Sequence, residues 1–113
     1  LVEVITPSKN RVEPICSSFP RCGGCSLMHM NYNEQLNLKK IKVSDAMKKI
    51  GGFEDIRVKD VLGMEDPTKY RNKVQVPFGD LRGKTISGFY KLNTHEIIPL
   101  TECSIQTISL YLL

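Results

Sequence analysis

The stretch Lys48–Lys59, KKIGGFEDIRVK, decides the fold. Before Gly51-Gly52 apolar residues recur at steps of three or four, and after it they alternate with polar ones. A switch from the helical period to the strand period inside one short chain reads as α+β: a small, mainly antiparallel sheet with one packed helix and, further upstream, a Cys-rich loop.

Reading back from the glycine pair, HMNYNEQLNLKKIKVSDAMKKIGG (residues 29–52) is the clearest helix. Asn31 or Asn33 can cap it, Glu34 sits in its first turn, and Gly51-Gly52 ends it. At 100° per residue Leu36, Val43, Met47 and Ile50 share a stripe while Lys42 and Lys49 point away. The expectation is a core-packed helix with a basic outer face. The opening LVEVITPSKNRVEP has a short alternating strand signal followed by Pro7, Ser8, Lys9 and Asn10 as a turn, which suits a linker.

Reading forward, IRVKDVLG around Ile56–Leu62 and YRNKVQVPFG over Tyr70–Gly79 alternate as strands. GDLRGK between Gly79 and Lys84 is a turn, TISGFYK a third strand and HEIIPL a fourth. Gly88 inside the third strand marks a bulge or a close backbone approach. The segment IQTISLYLL after Cys103 reads as the opening of an amphipathic helix. With no methionine at its start and an apolar run at its end, the chain is expected to be a piece of a longer protein.

Three of the four cysteines lie in CSSFPRCGGC, Cys16–Cys25, and the fourth, Cys103, follows after 77 intervening residues. Disulfides would leave three crowded thiols with awkward partners, and they suit an oxidising compartment. Structural zinc usually takes two CxxC knuckles, and only one is present. A [4Fe-4S] cubane needs four thiolates, and a tight loop supplying three with one remote residue is a common solution, so the spacing favours it over zinc. Gly23 and Gly24, lacking Cβ atoms, let the chain wrap closely and aim N–H groups at sulfur, while Phe19 and Pro20 shield and stiffen the approach.

At 113 residues the chain is one domain by length, and 16 Lys+Arg against 12 Asp+Glu give +4, mildly basic. No apolar run approaches a membrane span and no signal peptide opens the chain, so a cytoplasmic, membrane-free location is expected. His29 and His95 read as surface or packing histidines, not ligands.

CGGCSLMHMNYNEQLNLKK, YRNKVQVPFG and GFYKLNTHEIIPLTECSIQ, in that order, closely resemble the RumA/RlmD-type 23S ribosomal RNA (uracil-5-)-methyltransferases over roughly residues 12 to 113. The resemblance implies residues 1–13 as a linker or the end of a preceding OB-like TRAM domain. It implies residues 14–113 as a central iron-sulfur domain facing RNA, with the catalytic methyltransferase domain outside this chain. Cys16, Cys22, Cys25 and Cys103 match the family's cluster ligands. Arg71 and Lys73 become candidate phosphate or base contacts, with Asn72 and Gln75 as polar partners. The implied partner is 23S rRNA, the implied state a monomer, and S-adenosylmethionine a cofactor of the parent protein only.

Making 5-methyluracil requires a thiolate nucleophile, a general base and a glycine-rich cofactor loop. If all four thiols hold a cluster no nucleophile remains, and neither glycine pair forms a G-x-G-x-x-G loop after a strand. The chain is expected to bind and not to catalyse. Two other readings of the same residues are a ferredoxin-like electron carrier, for which an acidic docking surface would be expected, and a zinc-stabilised RNA-binding module.

Overall fold

The structure, a computed structural model, describes residues 3–100 and 102–107. The chain divides into two compact units, one made of the segment ending at Val12 with Met30–Glu65, the other of Glu13–His29 with the segment beginning at Asp66.

The first unit is built on helix α1, Tyr32–Lys49. Asn31 caps it, its side-chain oxygen accepting from the Glu34 amide at 2.9 Å, which satisfies one of the amides left without a helical partner. Glu34 in the first turn and Lys48 and Lys49 in the last oppose the helix dipole. The helix ends where the Ile50 and Gly51 amides both donate to the Ala46 carbonyl and Gly52 turns left-handed at φ 71°. Ser8 forms the expected turn, its carbonyl accepting from the Arg11 amide at 3.0 Å. The opening segment is tied to the helix start, because the Asn31 amide donates to the Asn10 carbonyl and the two side chains bond at 3.1 Å.

Two expectations fail in this unit. No residue of α1 is buried; Val43 within it is 51% exposed and Ile50, its C-cap, 87%. The half-buried positions include Tyr32, Leu36, Lys40 and Met47, so of the expected stripe Leu36 and Met47 are partly covered and Val43 and Ile50 are not. Cover comes from residues 60–64, where Asp60 pairs with Lys40 at 2.7 Å and the Met64 amide donates to the Tyr32 hydroxyl at 2.9 Å. Those contacts hold the first half of the helix and leave Val43 and Ile50 outside. The expected strand over Ile56–Leu62 does not form. Ile56, Val58 and Val61 are set among exposed neighbours, and alternation alone makes no strand without a ladder partner.

The second unit carries a three-stranded antiparallel sheet in the order β1 (Phe78–Leu81), β2 (Lys84–Tyr90), β3 (Ile97–Pro99). β1 and β2 are joined by a two-residue turn in which Arg82 and Gly83 both have positive φ, 56° and 77°, matching the twist of a tight hairpin. The Asp80 carboxylate accepts from the Gly83 amide at 3.1 Å and closes that turn. Gly88 is buried and opposite Pro99, and a Cβ there would land on the Ile98 carbonyl oxygen. The close backbone approach expected at Gly88 is therefore present.

Of the expected strand Tyr70–Gly79 only its end joins the sheet, since Pro77 has no N–H to give and pairing starts at Phe78. The start of that segment instead runs parallel to residues 104–107. The Lys69 and Arg71 amides donate to Ser104 and Ile105, and Thr107 donates back to Arg71. Among the described residues three strands thus stand where four were expected. The buried apolar residues among them are Cys22, Ile98 and Ile105, and the polar Gln106 is buried too, at 5% exposure. Of the helix expected after Cys103, residues 104–106 form a turn and a bridge and residues 108–113 lie outside the described residues, as do Leu1 and Val2 of the opening strand signal.

Candidate metal centre

The cysteine loop is shaped by its own backbone. The Phe19 amide donates to Cys16 and the Cys22 amide to Ser18, folding residues 16–22 into successive turns. The loop then lies along the end of β2: Cys22 bridges Lys91, Gly23 donates to the Tyr90 carbonyl at 2.9 Å, and Leu92 donates to Arg21. A Cβ at Gly23 would stand 2.9 Å from the same Tyr90 oxygen, so only glycine permits this docking. The amide that points at sulfur belongs to Gly24, which donates to Cys22 Sγ at 3.4 Å.

Cys103 arrives on the segment held against residues 69–71, and its carbonyl accepts from the Gln106 amide at 3.2 Å. The result is one pocket lined by Cys16, Cys22, Cys25 and Cys103, walled by Phe19, Phe89, Leu100 and Ile105. None of the four cysteines is in a disulfide. Burial pushes the Cys25 thiol above its ordinary value, and the neighbouring Cys103, Cys22 and Cys16 push it the same way. Arg71 opposes them, its field on Cys25 outweighing that of Cys16.

Among the described residues no three His, Cys, Asp or Glu side chains stand close enough to hold a metal ion.

Of the four residues read as RNA contacts, Asn72, Lys73 and Gln75 fall in a largely exposed run, whereas Arg71 is half-buried and its backbone is bonded on both sides. His29, half-buried, stacks on Phe19 with ring centroids 5.5 Å apart, and the exposed His95 meets Tyr90 edge-on at 5.3 Å. Sequence reasoning missed that the backbone of Arg71 is bonded to the segment following Cys103. The signal was its place on a strand whose partner follows Cys103, a pairing that no local pattern encodes.

No family model matches the chain. It is 55% identical over 106 residues to an "Uncharacterized RNA methyltransferase" of Clostridium tetani, covering 94% of this chain and 23% of that protein. A Clostridium acetobutylicum protein of the same description is 46% identical over 94% of the chain, and one from Listeria monocytogenes 48% over 89%. The chain spans 22 to 24% of the length of these relatives. Over most of its length, the chain is thus similar to a segment, under a quarter, of proteins named RNA methyltransferases.

Proposed function

We propose that this chain is the cluster-bearing, RNA-facing part of a S-adenosylmethionine-dependent (uracil-5-)-methyltransferase of 23S rRNA, with Cys16, Cys22, Cys25 and Cys103 holding a [4Fe-4S] cluster. The observation that carries the reading is the single apolar-walled pocket formed by three cysteines of one loop and a fourth from a distant segment. The donor set suits the cluster: four sulfurs lining one apolar-walled pocket and a backbone N–H on Cys22 Sγ. When bound, the group supplies a structural cross-link and no electron is needed for net methyl transfer.

The chain's own residues do the rest. The Cys16–Cys25 loop is seated on β2 by Gly23, and the parallel bridge beside Cys103 continues into the run Asn72, Lys73 and Gln75. That run can meet phosphate through Lys73 and unstacked bases through the two amides. S-adenosylmethionine and the nucleophile belong to other parts of the parent protein in this reading.

Anaerobic reconstitution with iron and sulfide, followed by metal analysis and visible absorbance, tests the assignment. Four iron atoms per chain and a brown protein are expected, roughly as a cubane requires, and a colourless protein holding one zinc would overturn it. A filter-binding assay with 23S rRNA tests the second half. Affinity should fall steeply with salt, and binding no tighter than to an unrelated RNA would remove 23S rRNA as the partner.

A further inference from the structure

The exposed run Asn72, Lys73 and Gln75 brings one cation to RNA, whereas a protein that holds RNA by its backbone needs several. Helix α1 carries five lysines, and they are not equivalent. Lys40 lies on the half-buried side and is committed to Asp60 at 2.7 Å. Lys39, Lys42 and Lys49 are exposed and follow one another at steps of three and seven residues, so with the exposed Ala46 they form one stripe along the helix. Helical geometry sets that stripe about 100° round the axis from Tyr32, Leu36, Lys40 and Met47, and its lysines span about 15 Å. Among the described residues neither Lys39 nor Lys42 has an acidic partner. Lys49 meets Asp45 at 3.1 Å, but with side chains 75% and 52% exposed that pair contributes little and yields to a stronger anion.

We propose that Lys39, Lys42 and Lys49 form a phosphate-contacting stripe on α1, a second RNA surface besides the run at residues 72–75. The inference rests on the RNA-facing half of the reading above and needs no cluster. Charge complementarity selects the occupant: three ammonium groups on one line, with a single exposed carboxylate beside them, suit a polyanion. The stripe has no aromatic ring on which a base could stack, and Gln35, next along it, donates its side-chain amide to the Met30 carbonyl at 2.8 Å. It therefore follows the RNA backbone without reading sequence, a role that lysine fills as a flexible point charge.

Filter binding of transcribed 23S rRNA and of an unrelated RNA, over a range of salt, tests the stripe. Wild type is compared with a triple variant, Lys39→Gln with Lys42→Gln and Lys49→Gln, and with the same three positions changed to Arg. A control triple removes three exposed lysines outside α1, Lys9→Gln with Lys59→Gln and Lys84→Gln. Glutamine matches lysine as a helix former, and circular dichroism confirms folding. Losing three phosphate contacts should make log affinity against log salt shallower by about two and weaken binding at low salt roughly tenfold or more, equally for both RNAs. The Arg triple should bind as wild type does, and the control triple should lose much less. A Gln triple that matches wild type, or a control or Arg triple as impaired as the Gln triple, would overturn the inference. Sedimentation of the chain alone checks the other occupant: self-association that the Gln triple abolishes would assign the stripe to a second copy and overturn it too. A wild-type chain that binds no RNA would overturn the RNA-facing reading and this inference together, whereas salt-dependent binding that the Gln triple leaves unchanged removes the inference alone.

Discussion

The Gly23 amide donates to the Tyr90 carbonyl at 2.9 Å, and any Cβ at Gly23 would sit 2.9 Å from that same oxygen. One glycine thus seats the cysteine loop on the end of β2, and through it sets where Cys22 and Cys25 face the pocket. The obstacle is backbone, which cannot swing aside as a side chain can. Gly23→Ala should therefore cost about 1–3 kcal/mol in urea unfolding and reduce bound iron after reconstitution. Gly52→Ala, at a left-handed residue with open space around it, should cost only about 1 kcal/mol and leave iron content unchanged. Equal iron loss in both variants would remove Gly23 from its seating role.

Gly88 presents a harder constraint, because its missing Cβ would coincide with the Ile98 carbonyl oxygen across the β2–β3 pair. Alanine can be accommodated only by parting the two strands, which would open the wall that Phe89 and Leu100 give the pocket. Gly88→Ala should destabilise by roughly 3 kcal/mol or more. A thermal unfolding midpoint indistinguishable from wild type would show that the strands can shift at little cost.

Much of this was legible in the sequence, and the misses share a cause. The α1 cap at Asn31, the break at Gly51-Gly52, the hairpin around Arg82-Gly83 and the close approach at Gly88 each depend on a few adjacent residues. Ile56–Leu62 has the alternation of a strand, but a strand exists only by pairing, and those residues are held by side chains such as Asp60 instead. The stripe Leu36, Val43, Met47 and Ile50 assumed a partner along the whole helix, while residues 60–64 cover only its first half. At the site, crowding of Cys16, Cys22 and Cys25 was visible as spacing. The meeting of Cys103 with them is a property of the parallel bridge from Arg71 to Gln106, which joins residues far apart in the chain and leaves no periodic trace.

Asn31→Ala should remove the bond to the Glu34 amide and also the side-chain bond to Asn10. The cap alone contributes about 1 kcal/mol, and losing the tie to the opening segment adds to it. Helical signal should fall, and urea unfolding should shift to lower concentration. Asn33→Ala, inside the first turn and exposed, should change neither; if both variants behave alike, the cap is misassigned.

The Lys40–Asp60 pair gives a pH dependence whose sign is fixed. Asp60 is held below its ordinary 3.8 by the hydrogen bond from Lys40 and then by the lysine's charge. A lowered folded value means that the pair's contribution is fully present above the ordinary carboxylate range and is lost as pH falls through the lowered value. Asp60 is solvent-exposed, so the effect is small and screened by salt. The gap in urea midpoint between wild type and Asp60→Asn should be open at neutral pH, close in acid, and shrink in high salt. A gap that persists in acid would assign the loss to packing.

In the proposed cluster-bearing state, removing the cluster should separate the two sources of cysteines. The loop, Cys16–Cys25, is shaped by its own turns and the bridge to Lys91, whereas the segment of Cys103 is brought in by backbone bonds to residues 69–71. A group bonded to both segments adds its binding free energy to folding, so chelating iron should lower the thermal midpoint of the reconstituted chain by several degrees. Cys103→Ser should abolish most of that shift, since the remaining three thiols lie in one short loop and closing it restrains little of the unfolded chain. Cys16→Ser should reduce iron content similarly, but any iron it keeps still joins the loop to Cys103 and should retain part of the stabilisation. If iron-loaded C103S were as heat-stable as loaded wild type, the remote cysteine would not be cross-linking the loop to the segment after Leu100.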